Sequence, residues 1–381
     1  MKTAQLKYTF ETNWTEIENK NSITDPSLIF VFGSTQLIKD NKALILLKEK
    51  YPNTIMIGGT SAGEISGINV FDDTIIATMV EFNTTTIKFV SREINSTGDS
   101  FEVGKNIVNS LLGENLKHIF VMSEGLTING SELVRGLREN LPQNVSATGG
   151  LAGDGANFSE TFIIDENGSA KTKLVSAIGF YGNNFQVAYG SLGGWDSFGV
   201  ERLVTKSKNN VLFELDSKPA LELYKSFLGE HASNLPSSGL LFPLNLRLEK
   251  NSEPVVRTIL AINEGQQSLT FAGDIPEGAY VRLMKANFDR LIDGAIGAAK
   301  STISNAKNEN PALAILISCV GRKLVLKQIV EEEVEGVREI LGNETLLSGF
   351  YSYGEISPFS ANAKCELHNQ TMTITTINET L

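Results

Sequence analysis

The chain is poor in the residues that hold metals and staple small folds. Its 381 residues include two cysteines, three histidines and two tryptophans. Cys319 and Cys365 form no CxxC pair, so neither a zinc ribbon nor a disulfide framework is expected. The compact paired-histidine patterns of zinc sites are also missing. No apolar run reaches the ~18–20 residues of a membrane span. Residues 1–20 are polar and interrupted by charge, with no apolar core or small-residue cleavage site, unlike a secretory signal. Lys/Arg runs are lacking, and a formal net charge of −11 opposes nonspecific attraction to nucleic acid or anionic lipid. Together these absences lead to the expectation of a reduced, cytoplasmic protein with no nucleic-acid partner and no membrane insertion.

What is present is an ordinary globular composition, 41% hydrophobic and 20% charged, long enough for two or three domains. Apolar runs alternate with amphipathic stretches. Residues 28–32 read as a strand, 39–50 as a helix and 54–57 as a strand, while 75–80 and 86–94 alternate like paired strands. The grammar returns at 118–122, 131–140 and 145–148, and again at 313–318 and 325–341. In that last helix Glu331, Glu332, Glu333 and Glu335 are expected to form a solvated face. Short β-type runs fill the region between, followed by an expected helix over 284–305. Ser217 reads as an N-cap with Pro219 in the first turn of a helix reaching Leu228.

The three units resemble one another. Each is a strand ending in serine (Ser34, Ser123, Ser318), then a helix, then a strand running into a glycine-rich turn. The turns read Gly58-Gly59-Thr60-Ser61-Ala62-Gly63-Glu64, Gly149-Gly150-Leu151-Ala152-Gly153-Asp154 and Gly349-Phe350-Tyr351-Ser352-Tyr353-Gly354-Glu355. The expected fold class is α/β, with mixed sheets built from pseudo-repeated strand–helix–strand units in two domains, 26–215 and 216–377.

Several ordered motifs carry a family resemblance. These are the turns over 58–65 and 148–155, the stretch 194–228 with Lys218-Pro219-Ala220-Leu221, and Ser318-Cys319-Val320-Gly321-Arg322. The turn over 349–358 and Leu367-His368-Asn369-Gln370-Thr371 complete the set. Over 26–377 the chain resembles the FIST family, with its FIST N-terminal and C-terminal domains. The resemblance implies an intracellular sensory module for signal transduction, with small ligands such as amino acids as input. It also implies, from a subset of the family, an alternative: a haem protein that senses nitric oxide and controls a histidine kinase. The sequence carries no kinase, phosphodiesterase or DNA-binding appendage, so output is expected through a separate signalling partner.

Glycine-rich turns after strands bring backbone N–H groups close to a ligand, and open α/β sheets bind ligands beyond their strand ends. Gly58, Gly59, Gly149, Gly150 and Gly349 are therefore expected at a shared pocket where the two halves meet. Glu64, Asp154 and Glu355 would accept from an amino group, and Arg322 would clamp a carboxylate bidentately, which suits an amino-acid-like ligand. Ser34, Ser61, Ser123, Cys319, Tyr351 and His368 complete the expected lining. The same glycines also serve ordinary tight turns, and the same charges serve structural ion pairs.

A hydrolase is the other alternative. Gly59-Thr60-Ser61-Ala62-Gly63 matches the nucleophile-elbow pattern, but the residues after it do not read as a helix. Cys319, at a possible helix start beside Arg322, is a second candidate through a lowered thiol pKa. For haem, His368 or His231 would be the axial ligand, His118 reading as a strand residue. The reading taken forward is a ligand-binding sensor rather than an enzyme, with no cofactor named.

Overall fold

The computed structural model describes residues 1–19, 22–249, 254–305, 310–359 and 363–380. Three parallel strand pairs organise it: Leu28–Gly33 with Ile55–Thr60, Leu116–Ser123 with Ser146–Leu151, and Leu313–Cys319 with Leu346–Ser352. Parallel neighbours need a crossover, and helices Lys42–Lys50, Gly130–Asn140 and Val330–Leu341 supply it. Each pair is flanked by an antiparallel strand, Ile75–Glu81, Leu174–Tyr181 and Met372–Glu379 respectively.

Two expected helices are each broken in two. Asn41, at φ 63, ends Thr35–Asp40 and starts Lys42–Lys50; asparagine tolerates the left-handed region because its short polar side chain bonds locally. Lys327, at φ 53, separates Val320–Leu326 from Val330–Leu341 through a short 3₁₀ turn. The strands expected to pair, Ile75–Glu81 and Thr86–Glu93, do not. Thr86–Glu93 crosses to the second sheet and pairs with Leu174–Tyr181. Alternation sets which face a strand buries, not its partner. Glu379 holds the crossing, accepting the N–H groups of Asn83, Thr84 and Thr85 at 2.6–2.7 Å.

Each sheet is completed by a strand from the next unit. Glu64–Ser66 leaves the first turn to pair with Leu346–Ser352 of the third unit. Ile163–Ile164, after the second turn, joins Ile55–Thr60 of the first. Gly354–Pro358, after the third, joins Ser146–Leu151 of the second. This cyclic exchange closes a three-sided body. Its inner faces meet in a core where Phe32 stacks on Phe350 at 4.5 Å and Phe30 meets Phe120 edge-on at 5.2 Å. Fully buried side chains of this size each contribute ~1.5–3 kcal/mol. The outer faces lie under helices, as Ile29 and Val31 do under Leu37, Leu44 and Leu47. Burial on both faces explains why these strands read as continuous apolar runs.

A fourth, antiparallel sheet is inserted between Phe185–Leu192, which pairs with Met372–Glu379, and helix Phe288–Asn305. That helix begins later than expected because Tyr280–Lys285 is a strand of the insert. Asp196–Lys208, Val211–Leu215, Leu244–Arg247 and Ser268–Phe271 also belong to it, with helix Ala220–Leu228 packed in its core. Val211–Leu215 pairs on both sides, so the sheet runs across the expected 215/216 boundary. Ser217 does not cap the helix. It sits in a tight turn at φ 61, with Pro219 as N-cap residue.

Candidate ligand site beside the converging turns

The glycine-rich turns meet at one end of the three-sided body. Backbone hydrogen bonds lace them together: Gly153 N–H donates to Thr60, Ala62 N–H to Tyr351, and Tyr353 N–H to Leu151, at 3.2, 2.8 and 3.1 Å. The leading glycines let the paired strands within each unit close up. Gly58 and Gly149 sit at φ 151 and 153, and a Cβ at either would stand 1.7 or 1.9 Å from the carbonyl oxygen of Val31 or Val121. Gly349 stands in the same relation to Leu316, at 1.9 Å. These three glycines therefore press against the backbone of the neighbouring strand. Gly59 and Gly150 are similarly closed, by Phe162 and by Ile317 with Phe350.

Two of the three turn carboxyls are treated alike. Glu64 is buried and accepts from Ser61 and Thr74; Glu355 is buried and accepts from Ser352 and Thr371. Burial pushes both up to about 8, against the pull of these hydroxyls. Asp154 is different. Burial raises its pKa too, but the Tyr353 hydroxyl, the N–H of Glu160 and the N–H and hydroxyl of Ser159 outweigh it, and the net shift is downward. The Asp154 carboxylate thereby fixes the loop over 158–160 and ties it to Tyr353, whose ring stacks on Phe158 at 4.5 Å.

Arg322 is fully buried. Its guanidinium binds Glu333 at 2.7 and 3.0 Å and the carbonyls of Gly193 and Leu291 at 2.5 and 2.7 Å. Glu333 also accepts from Ser318 and from the Tyr351 hydroxyl. The solvated-face expectation fails at Glu333, which turns inward as the counter-ion of Arg322, while Glu331, Glu332 and Glu335 are exposed. Arg322 thus has internal partners where a carboxylate clamp was expected, and the Tyr351 hydroxyl, expected in the lining, has one too.

Ser61 binds Glu64 rather than a histidine, and a strand, not a helix, follows it. The Cys319 thiol is pushed up by burial and the nearby Glu355, the reverse of the lowering expected beside Arg322. His118, read as a strand residue, is buried with its ring nitrogens on Ser146 and Thr148, and burial lowers it to about 3. His368 Nε2 meets the Ser357 carbonyl, and burial lowers this ring to about 4. These three occupied nitrogens do not fit a haem axial ligand, and His231 packs against Phe242. Among the described residues no cluster of His, Cys, Asp or Glu could hold a metal ion. No described helix is long and apolar enough to cross a membrane.

Two depressions adjoin the turns. One is an open acidic cleft of about 460 Å³ carrying Ser34, Ser61, Glu64 and Asp154 with Asp72 and Asp73. The other is a cavity of about 260 Å³ between the turns and the inserted sheet. Leu151, Cys319, Tyr353 and Asn369 line it from the body, and Thr258 and Phe271 from the insert, Asn369 and Phe271 with no exposed surface of their own. No charged side chain lines it among the described residues. At its wall Asn369, fully buried, has no partner for either amide atom, and the Thr258 hydroxyl, 4% exposed, has none.

Of the residues singled out from sequence, Cys319 reaches this cavity and Ser34, Ser61, Glu64 and Asp154 reach the acidic cleft. Ser123 lies beneath the second turn, its hydroxyl on the Glu124 carbonyl. Asn369, Tyr353, Phe158 and Thr258 were not singled out. Asn369 sits inside the family-like run 367–371 and Tyr353 inside the third turn, so their neighbourhoods were marked; Thr258 carried no sequence signal.

The FIST N domain model matches residues 27–218 and the FIST C domain model residues 220–358. An uncharacterized protein of Methanocaldococcus jannaschii is 25% identical over 235 residues, covering 54% of this chain and 44% of that protein. The chain thus spans less than half the length of that relative. A crystal structure of cyanuric acid hydrolase from A. caulinodans aligns over 93% of this chain and 90% of that one, at 6% identity and a TM-score of 0.38. With both domain models matched in tandem across most of its length, the chain belongs to the FIST family of sensory domains in signal transduction.

Proposed function

We propose that this protein is a cytoplasmic sensor of a small metabolite, which occupies the 260 Å³ cavity between the turns and the inserted sheet. One observation carries the reading: a buried asparagine with both amide atoms unpartnered stands at the wall of a partly open space that no charged side chain lines among the described residues. Buried polar groups in folded proteins are nearly always paired, so each exception calls for an explanation, and a guest in the adjoining space supplies one. A ligand here touches the body through Tyr353 and Asn369 and the insert through Thr258 and Phe271. It therefore biases how the two sit together, provided it binds one arrangement better than the other. That bias is the signal, passed to a separate protein such as a histidine kinase.

An amino-acid-like ligand would be held there by hydrogen bonds alone, because Arg322 is spent on Glu333. The cavity wall favours a ligand without net charge. The test is a thermal-shift screen of small metabolites against the wild type and Leu260→Trp, a change at the exposed rim that fills the space. At 100-fold excess over Kd a bound ligand adds ~2.7 kcal/mol of stability. Hits abolished by the tryptophan are expected. Hits indifferent to it, or none at all, would sink the proposal.

A further inference from the structure

We infer that the ligand is an uncharged amide with its hydrogen-bond donor and acceptor side by side, as in a lactam, an imide or a primary carboxamide, read bidentately by Asn369. This rests on the cavity being the ligand site. A carboxamide side chain offers one acceptor oxygen and an adjacent N–H donor in a single plane. Its best complement is another amide edge in antiparallel register, the same geometry by which asparagine reads an adenine edge. Asn369 keeps both functions unpaired while fully buried, which is the costly arrangement unless a guest supplies both. The Thr258 hydroxyl, also unpaired, can serve a second polar atom of the guest.

The rest of the wall narrows the class. The stacked pair Phe158–Tyr353 offers a flat apolar surface suited to a planar ring. Of the other lining amides, Asn129 donates to Asp274 and accepts from Glu132 N–H, Asn210 donates to the Phe271 carbonyl, and Asn209 is exposed to water. A carboxylate or ammonium entering here would lose its hydration and meet no opposite charge among the described lining residues. Asn369 therefore selects for amide edges and against zwitterions.

Isothermal titration of the full chain tests this with nicotinamide, uracil and 2-pyrrolidinone. Their N-alkylated counterparts, N,N-dimethylnicotinamide, 1,3-dimethyluracil and N-methyl-2-pyrrolidinone, keep the shape and lose the donor. Glycine and glutamate represent zwitterions. At least one amide is expected to saturate the protein, weakening ~10–100-fold on alkylation and by a similar factor in Asn369→Leu. The three amides separate a carboxamide, a nucleobase-type imide and a saturated lactam. Asn369→Leu is expected to fold at least as stably as wild type, and Thr258→Val is a milder second variant. Equal binding of alkylated and parent amides, or binding untouched by Asn369→Leu, would overturn the inference. So would no binding by any of the three amides. Zwitterions that bind and are lost in Leu260→Trp would overturn the class yet leave the cavity standing. Amide binding unaffected by Leu260→Trp would remove the cavity itself.

Discussion

Two buried polar regions lie close together in this protein and are built on opposite terms. Beneath the third unit, Arg322 and Glu333 are enclosed with Ser318, Tyr351 and two backbone carbonyls, each supplying a hydrogen bond. At the cavity wall, Asn369 is equally enclosed and has no partner. The first region is finished by folding. The second is left open on one side, and the unfavourable term is small enough to carry because an amide is neutral and an ion is not.

The largest expected effect breaks the finished region. Glu333→Ala leaves the Arg322 guanidinium buried without its counter-ion and should cost ~3–5 kcal/mol, read as a lower urea midpoint with an unchanged slope. A loss below ~1 kcal/mol would mean that the pair relaxes to solvent and that the contrast is false.

Protonation sharpens the comparison. Glu64 and Glu355 sit near 8 in the folded chain against 4.5 unfolded, so the native state keeps protons that the unfolded chain has released between those values. Their contribution is complete below about pH 4.5 and is lost as pH rises through 8, on the order of a kcal/mol per pH unit for each group. Asp154 runs the other way, its contribution present at neutral pH and lost on acidification. Urea unfolding between pH 5 and 8.5 should show falling stability, flattened in Glu64→Gln, Glu355→Gln. A flat wild-type profile would mean that these carboxyls reach water. The smallest effect belongs to the open region. Asn369→Leu, without ligand, should leave the unfolding midpoint unchanged or raise stability by ~1 kcal/mol. A clear loss would show that the amide already has a partner.

The three strand–helix–strand units were legible because doubly covered strands must be apolar throughout and because their turns need glycine where backbones touch. Their association was not. Nothing in Glu64–Ser66 says that it pairs with Leu346–Ser352, about three quarters of the chain away. Thr86–Glu93 showed its alternation but not its sheet. Glu333 stood among exposed glutamates, and only the third dimension turns it toward Arg322. Within the candidate site, the turns advertised themselves through glycine, whereas a lone asparagine or threonine has no spacing rule to betray it. The carboxyls at comparable places in the turns suggested one shared role, but Asp154 diverged: it lacks the Ser-x-x-Glu pairing of the other two and fastens a loop to Tyr353 instead.

The cyclic strand exchange bears on biosynthesis. As the nascent chain leaves the ribosome, the second sheet can be nucleated once residue 151 has emerged, yet its missing edge arrives only with Gly354–Pro358. For some two hundred codons that edge stays unpaired, an adhesive ribbon that a chaperone or a temporary partner has to shield.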